Sequence, residues 1–268
     1  MVAFPGCKIN LGLHILRRRP DGYHDIDTAF YPVPWSDFLE FLPARELAFT
    51  CTGLEIPGER MDNLCLRAYR LLKQDHSLPP VQGHLHKLVP MGAGLGGGSA
   101  DAAHTLRLLN AIFSLSLTPA QLADYARRLG SDCSYFLMNQ PARGTGRGDI
   151  LEPLSIDLRG FYLVVVTPPV HVSTAVAYAG VEPKLPEEPL HITLARPVDE
   201  WKTTLRNDFE STVFSRYPQL AEVKDRLYDQ GAVYASLSGS GSSLYGLFRS
   251  AVSRASLFAD MPGWSGWL

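Results

Sequence analysis

The glycine-rich segment at residues 90–99 constrains this chain more than any other stretch. Five of the seven residues from 92 to 98 are glycine, and the segment runs into a helix predicted over 100–113. Backbone N–H groups can approach an anion closely where no Cβ intervenes, and a helix N-terminus adds its own amides and dipole. Ser99 is placed to cap that helix. The sequence therefore predicts a phosphate-binding loop followed by a helix.

Two common nucleotide-binding patterns fit this segment poorly. The pattern G-x-G-x-x-G is present at 92–97, but the segment lies far from the chain start. The next acidic residue of use to a ribose, Asp124, also comes later than the spacing of about 20 residues that a dinucleotide fold requires. A Walker A loop needs Gly-Lys-Ser/Thr, whereas Ser99 directly follows Gly98. The context therefore argues against a dinucleotide fold, and the usual form of a Walker A loop is excluded.

Composition limits the function classes. The 268 residues suggest two domains, and the net charge of −2 argues against a protein that tracks a nucleic-acid backbone. The four cysteines form no CxxC pair, which makes a zinc site a weak interpretation. No apolar stretch approaches 18 residues and no signal-peptide pattern opens the chain, so we expect a cytoplasmic protein with no membrane contact.

The periodicity of the sequence predicts a mixture of helices and strands. Residues 7–16 alternate as a strand does, and residues 63–73 have helical spacing. Thr118 and Pro119 open a helix that Gly130 ends. Further predictions are strands within 26–50, at 84–89, 161–167, 232–237 and 243–248, a short helix or turn at 131–138, a loop at 182–189 and a helix at 217–230. We expect a domain boundary near residue 155.

Several segments resemble one kinase superfamily. Residues 90–103 are similar to the P-x-x-x-G-L-G-S/G-S/G motif of the galactokinase, homoserine kinase, mevalonate kinase and phosphomevalonate kinase (GHMP) superfamily. The stretches K-I-N-L at 8–11, R-P-D-G-Y-H at 19–24, L-G-S-D-C at 129–133 and S-G-S-G at 238–241 resemble those members that act on a cytidine diphosphate-linked polyol. The match runs in order over nearly the whole chain.

The resemblance implies an α+β fold of two domains. The nucleotide-binding domain, 1–155, would resemble ribosomal protein S5 domain 2, and the substrate-side domain, 156–268, would be ferredoxin-like. The implied activity is that of an ATP-dependent small-molecule kinase, which phosphorylates the 2-hydroxyl of the polyol in the non-mevalonate isoprenoid pathway. The implied cofactors are ATP and Mg²⁺, and the sequence names no metal ligand.

The resemblance also implies the catalytic pair. Asp132 matches the family's catalytic aspartate, which accepts the proton of the substrate hydroxyl. Spacing alone would make Asp132 a cap or turn residue. Lys8 matches the lysine beside that aspartate, where a cation keeps the carboxyl ionised. The family often has Ala-Asp-Val-Pro where this chain has Ser-Asp-Cys-Ser at 131–134, which keeps the aspartate and lacks the proline.

The remaining site residues are carried over in the same way. Asn10 would contact the erythritol part, Tyr23 and His24 would recognise the cytosine, and Tyr178 would close the aromatic sandwich. Thr174 would lie near the diphosphate, with Ser238 and Gly239 of the third glycine motif also on the substrate. The residues implied for ATP are Pro90, Gly92, Ala93, Gly94, Leu95, Gly96, Gly97, Gly98, Ser99, Asn63 near the adenine, and Lys87.

Some features stay open. Arg143 and Arg147 could hold phosphates or be solvated, and we interpret His84 and His86 as structural. A sister kinase acting on mevalonate-like or homoserine-like alcohols is one alternative function, although such alcohols offer no base to stack on an aromatic ring. An inactive nucleotide-binding regulator is another, although it would need neither of the catalytic pair. Either a monomer or a homodimer is compatible with the sequence.

Overall fold

The computed structural model describes residues 1–268, except the side chain of residue 60. The strands are β1 (Val2–Ala3), β2 (Gly6–Arg18), β3 (His24–Ser36), β4 (Phe38–Pro43), β5 (Ala48–Gly53), β6 (Val81–Lys87), β7 (Ala142–Thr145), β8 (Ile150–Pro153), β9 (Tyr162–Val166), β10 (Tyr234–Leu237), β11 (Leu244–Phe248) and β12 (Gly263–Trp267). The helices are α1 (Leu64–Asp75), α2 (Gly97–Ile112), α3 (Pro119–Leu129), α4 (Cys133–Met138), α5 (Thr174–Ala179), α6 (Leu190–Leu194), α7 (Trp201–Thr204), α8 (Phe209–Arg216), α9 (Pro218–Asp229) and α10 (Arg254–Leu257).

The chain divides into two compact units, and neither is continuous in sequence. The first unit comprises Met1–Lys8, Pro32–Met91 and Gly96–Asn139, and the second comprises Ile9–Tyr31, Gly92–Leu95 and Gln140–Leu268. This division differs from the single boundary predicted near residue 155. The reason lies in strand pairing: Thr28 of β3 pairs with Gly144 of β7, which keeps the early residues 9–31 with the later part of the chain.

The first unit is built on a sheet of strand order β1-β4-β6-β5. Helix α2 packs against β1 and β4, and α1, α3 and α4 pack against α2. Strand β6 alternates strictly, with its odd-numbered residues buried and its even-numbered residues turned outward. Lys87 therefore has the buried parity. His84 and His86 have the outward parity, and both rings lie 2.9 Å from the Thr52 hydroxyl, a structural contact of the kind predicted for them. The core includes Leu39, Phe41, Phe49, Tyr69, Leu85, Leu106 and Leu109.

The second unit contains the antiparallel sheet β10-β11-β9-β12, and α9 packs against β10 and β11. Its core includes Val164, Val166, Leu237, Leu244 and Phe248. A third sheet has the order β2-β3-β7-β8. No helix among the described residues is long and apolar enough to cross a membrane.

The caps of α3 confirm the turn chemistry of the sequence. Thr118 accepts a hydrogen bond from the Gln121 N–H at 3.3 Å, and the Gln121 side chain accepts one from the Thr118 N–H at 2.9 Å. These two bonds form a capping box. Pro119 occupies the first turn and Gly130 is the C-terminal cap, as predicted. The end of this helix leads directly into the segment that carries Asp132.

Candidate active site

The glycine-rich loop adopts a backbone that only glycine tolerates well. Gly92, Gly94 and Gly96 have φ angles of 64°, 80° and 70°, which lie in the left-handed region. A side chain at any of these positions would strain the backbone by about 1–2 kcal/mol. The alternation of glycine with Ala93 and Leu95, both buried, thus has a conformational cause.

Helix α2 begins earlier than the sequence predicts. It starts at Gly97, with left-handed Gly96 as its N-cap, so the prediction that Ser99 caps the helix is wrong. Glycine at the cap makes an earlier start possible, and Ser99 falls inside the first turn. Among the described side chains, none caps this end and no acidic residue occupies its first turn. The end therefore keeps the amides and positive dipole that bind an anion.

Two further glycines let α2 approach the residues that follow β6. A Cβ placed at Gly97 would lie 2.9 Å from Cγ1 of Val89, and one at Gly98 would lie 2.9 Å from Cε of Met91. The end of the Met91 side chain can move aside, whereas Val89 is branched at Cβ, so a larger residue at Gly97 would push the helix and this segment apart. The glycines of the loop therefore serve two purposes, backbone geometry before the helix and packing within it.

Lys8 and Asp132 meet as predicted. The Lys8 ammonium nitrogen lies 3.7 Å from Oδ2 of Asp132, and the lysine side chain is buried whereas the aspartate side chain is 33% exposed. Asp132 precedes α4, but its side chain forms no cap hydrogen bond among the described residues, which removes the alternative of a capping aspartate. A Cβ at Gly96 would lie 3.3 Å from Cε of Lys8. The start of α2 and the charged pair are therefore neighbours.

Lys87 has a different environment from the one the sequence suggests. Its ammonium group is fully buried, and it donates hydrogen bonds to Asp37 at 2.5 Å and to Asp101 at 2.7 Å. A direct contact between Lys87 and a nucleotide therefore has no support in this geometry. The physical reason is the parity of β6, which turns Lys87 into the core beneath the first turn of α2.

A cavity of about 540 Å³ opens in the first unit next to the start of α2. Such a volume suits a small-molecule ligand. Asn63, the residue predicted near the adenine, lines the cavity and also caps α1 by accepting a hydrogen bond from the Cys65 N–H at 2.9 Å. Other lining residues are Thr52, Leu54, Leu64, Met91 and Gly98.

In the second unit, Asn10 is buried and held by neighbours. Its amide nitrogen donates to the Thr28 hydroxyl at 2.9 Å, which itself donates to the Gly12 carbonyl at 2.7 Å. The Tyr245 hydroxyl donates to the Asn10 carbonyl at 2.7 Å. Thr28 and Tyr245 were not singled out from the sequence, because partners 18 and 235 positions away from a side chain leave no local signal.

Two aromatic contacts mark the predicted base site. The His24 ring stacks on Tyr178, with ring centres 4.6 Å apart and an interplanar angle of 16°. Burial lowers the pKa of His24, and the nearby Arg18 charge lowers it further, so the ring is readily neutral and offers both a donor and an acceptor. Tyr23 is 57% exposed, with the Arg147 guanidinium 4.9 Å from its ring centre.

Arg143 and Arg147 have separate roles, which the sequence left open. Arg143 forms a two-bonded ion pair with Asp27, with both nitrogen–oxygen distances at 2.8 Å. In this bidentate geometry the Arg143 guanidinium holds β7 to β3. Arg147 instead covers the ring of Tyr23. The first arginine is therefore structural, and the second belongs to the candidate site.

The third glycine motif supports the glycine loop. Ser238 is fully buried and its hydroxyl donates to the Gly94 carbonyl at 2.9 Å, so it is placed to hold the loop rather than to touch a substrate. Asn207, which the sequence analysis missed, donates to the carbonyls of Leu237 and Gly239 at 2.8 Å each. Thr174 is exposed at the start of α5, and Gly239 has a φ of 56°.

Comparison with known proteins defines the class. The model of the GHMP kinases N terminal domain matches residues 63–146, and that of the GHMP kinases C terminal domain matches residues 194–262. The first match includes the glycine loop and Asp132, and the second includes Asn207 and the third glycine motif. The fold and the candidate site are thus those of an ATP-dependent small-molecule kinase.

Relatives extend this similarity along the chain. A Cytophaga hutchinsonii protein named 4-diphosphocytidyl-2-C-methyl-D-erythritol kinase is 48% identical over 92% of each chain. A Parabacteroides distasonis protein of the same name is 45% identical over 100% of both. A crystal structure of 4-(cytidine 5'-diphospho)-2C-methyl-D-erythritol kinase matches with a TM-score of 0.85 and 32% identity, covering 99% of this chain and 98% of that one. The chain belongs to the GHMP kinases, in the family of the 4-diphosphocytidyl-2-C-methyl-D-erythritol kinases.

Proposed function

We propose that this chain transfers the γ-phosphoryl group of ATP to the 2-hydroxyl of 4-diphosphocytidyl-2-C-methyl-D-erythritol, a step of non-mevalonate isoprenoid synthesis. The names of relatives that span the whole chain support the substrate. The observation that carries the chemistry is the pair of Lys8 and Asp132, 3.7 Å apart beside the start of α2. A pure nucleotide-binding protein would have no use for a buried lysine aimed at a partly exposed carboxylate.

The proposed mechanism is a direct in-line transfer. Asp132 accepts the proton of the substrate 2-hydroxyl while the oxygen of that hydroxyl bonds to the γ-phosphorus of ATP. The bond from the γ-phosphorus to the bridging oxygen of ADP breaks in the same step. The ammonium group of Lys8 stabilises the carboxylate before the transfer and the hydroxyl oxygen during it. The glycine loop and the first turn of α2 bind the phosphates.

We propose that Mg²⁺ reaches this site bound to the ATP phosphates. Mg²⁺ usually keeps several waters and needs only one or two protein ligands beside phosphate oxygens. The described residues hold no cluster of three or more His, Cys, Asp or Glu side chains that could bind a metal by themselves. Asp132 and Ser99 lie close enough to the start of α2 to fit such a sparse site, and neither is assigned as a ligand.

The cytosine is proposed to bind at the ring cluster of the second unit. A pyrimidine can stack on Tyr23 or on Tyr178, and the neutral imidazole of His24 can read its edge. Tyr23 is 57% exposed, so its ring is open to a base, whereas the rings of His24 and Tyr178 stack on each other and must separate for a base to enter between them. Arg147, over the ring of Tyr23, adds a cation near the diphosphate-linked ligand.

Replacing the Tyr178 ring is expected to weaken binding of the cytidyl substrate selectively. Tyr178→Ala should raise KM for that substrate about 10–100-fold, because stacking of one base on an aromatic ring is worth about 1–3 kcal/mol, and should leave KM for ATP within about twofold. Steady-state kinetics check this, with Tyr178→Phe expected to retain function. The matched control is Trp267→Ala, which removes another aromatic ring of the same unit. The centre of that ring lies 5.3 Å from the centre of the Tyr162 ring. Equal changes in both KM values would contradict the assignment.

We expect kcat to fall on the alkaline side at a lower pH than the pKa of an ordinary lysine would give. Burial lowers the pKa of Lys8 from 10.5, although the Asp132 carboxylate opposes the shift. The ammonium group is present below this lowered pKa and is lost as the pH rises through it, so kcat should fall at a lower pH than an ordinary lysine would dictate. A profile of kcat against pH at saturating substrates tests this, and a kcat that stays level up to pH 10.5 contradicts it.

A coupled assay of ADP release tests the function itself. The purified chain with ATP and Mg²⁺ should turn over with 4-diphosphocytidyl-2-C-methyl-D-erythritol and not with mevalonate or homoserine. Turnover with one of the other two alcohols would identify a sister kinase. ATP binding without turnover of any alcohol would identify a nucleotide-binding regulator.

A further inference from the structure

A buried group of three charges, formed by Lys87, Asp37 and Asp101, lies next to the start of α2, and Asp101 also lines the cavity of the first unit. Lys87 at the end of β6 donates to Oδ2 of Asp37 at 2.5 Å and to Oδ2 of Asp101 at 2.7 Å. The side chains of Lys87 and Asp37 have no exposed surface, and that of Asp101 is 3% exposed. Charges so deeply buried are costly to desolvate, so they persist only when they are well paired.

The three residues join the parts of the first unit that shape the phosphate site. Asp37 lies between β3 and β4, and its Oδ1 accepts hydrogen bonds from the N–H groups of Leu88 and Val89 at 2.6 and 2.8 Å. Those residues lead from β6 toward the glycine loop. Asp101 belongs to α2 itself. The ion pairs therefore fix the end of β6 and the beginning of α2 to the same point.

The ammonium group of Lys87 lies close to the first residue of α2. A Cβ added at Gly97, the first residue of α2, would lie 3.0 Å from Nζ of Lys87. The positive charge thus lies directly under the backbone that is proposed to bind phosphate. One lysine faces two carboxylates, so the group carries a net charge of −1 when both carboxylates are ionised and is neutral when one of them holds a proton.

Asp101 is the carboxylate with an oxygen left over to hold that proton, because Oδ1 of Asp37 already accepts two backbone hydrogen bonds. Oδ1 of Asp101 is buried and has no hydrogen-bond partner among the described residues. Burial raises the pKa of Asp101, the Lys87 charge opposes the shift, and the Asp37 charge adds to it. The thiol of Cys65 on α1 also faces Asp101, but burial raises the pKa of Cys65 so far that it stays neutral. Burial raises the pKa of Cys7 on β2 to about 12, and the Asp37 charge adds to the shift.

We infer that Lys87, Asp37 and Asp101 are positioning residues for the nucleotide phosphates: they hold the first turn of α2 in place and set the charge beneath it. The inference rests on the proposed function, in which residues 96–99 bind ATP. It gives Lys87 an indirect role in nucleotide binding through the backbone of α2. It also makes Asp101 a residue whose charge opposes phosphate binding.

The test measures the dissociation constant of Mg²⁺-free ADP by calorimetry for the wild type and Asp101→Asn. The carboxamide oxygen that this substitution introduces still accepts the Lys87 hydrogen bond, so the fold should persist, while the group can no longer become negative. The ratio of the wild-type constant to the variant constant should be near one at about pH 6 and roughly 3–10 at about pH 8.5, the scale of one unit charge several ångströms below the phosphates. At each pH the protonation of ADP affects both dissociation constants equally, so its effect cancels in the ratio.

Two comparisons make the test specific. Asp124→Asn removes the same charge from an exposed site in the same unit, and its ratio should stay near one at both pH values. Lys87→Met leaves two carboxylates without their cation and should weaken ADP binding roughly tenfold or more, whereas KM for the polyol should not change for either variant of the buried group. If Lys87→Met does not fold, Asp101→Asn still decides the matter.

The outcomes separate the inference from the function on which it rests. Tight ADP binding by the wild type with a ratio that is the same at both pH values would overturn the positioning role of the group alone. Failure of the wild type to bind ADP at either pH would overturn the proposed nucleotide site, and the inference with it. A pH-dependent ratio for Asp101→Asn but not for Asp124→Asn would support both.

Discussion

Asp132→Asn is expected to lower kcat by about 10²–10⁴, the usual contribution of a general base. The carboxamide keeps the size of the side chain but cannot accept the proton of the 2-hydroxyl. Asp132 is 33% exposed and makes no cap hydrogen bond among the described residues, and a carboxamide oxygen can still face the Lys8 ammonium group, so the variant should remain folded. The KM values for ATP and for the cytidyl substrate should change much less than kcat. ADP release at saturating substrates measures this effect.

The matched control for Asp132→Asn is Asp199→Asn. Asp199 pairs with Arg249 at an exposed position, so the variant makes the same chemical change outside the site. Its kcat should remain within about twofold of the wild type, because exposed ion pairs contribute little. A kcat for Asp132→Asn within about threefold of the wild type would show that another group accepts the proton.

Gly94→Ala is expected to weaken ATP binding strongly and to lower the stability of the fold. Gly94 has a φ of 80°, and an added Cβ would overlap the carbonyl oxygen of Ser238 and lie 2.9 Å from its carbonyl carbon. Both contacts are with backbone, so no side-chain rotation can relieve them. We expect a loss of about 1–3 kcal/mol of stability from strain, and a rise in KM for ATP of at least tenfold as the loop moves. Thermal unfolding and steady-state kinetics measure the two effects.

Gly231→Ala is the control that separates the effect of backbone strain from the effect of the steric clash at Gly94. Gly231 has a φ of 91° in the same unit, but nothing lies within 4 Å of an added Cβ. This variant should lose about 1–2 kcal/mol of stability and keep the wild-type KM for ATP. If Gly94→Ala behaves like Gly231→Ala in both measurements, the contact between the glycine loop and the third glycine motif has no role in binding.

The local chemistry of the sequence predicted much of the fold and of the site. Alternation predicted the strands at 7–16 and 84–89, and Thr118 with Pro119 predicted the start of α3. The K-I-N-L and L-G-S-D-C stretches, which lie far apart in the chain, predicted the meeting of Lys8 and Asp132, which the structure confirms. Each of these predictions depended on a pattern of a few neighbouring residues or on a known motif.

Most of the errors came from contacts between residues far apart in sequence, and one came from the local backbone of the glycine loop. The alternation in β6 already put Lys87 on the same side as Leu85, yet nothing near Lys87 shows that Asp37, 50 residues earlier, and Asp101 surround it. Ser99 was expected to cap α2 because serine favours that position, but left-handed Gly96 starts the helix earlier. Asn207, which fixes the third glycine motif, sits in a stretch with no motif that we recognised.

The product of the reaction distinguishes phosphoryl transfer to the polyol from hydrolysis of ATP. Phosphorus NMR of the purified chain with ATP, Mg²⁺ and 4-diphosphocytidyl-2-C-methyl-D-erythritol follows the fate of the γ-phosphoryl group. We expect ADP together with a new phosphate monoester on the polyol, whose diphosphate stays intact, and no monoester from mevalonate. ADP with only inorganic phosphate, or a monoester formed equally well from mevalonate, would contradict the proposed function.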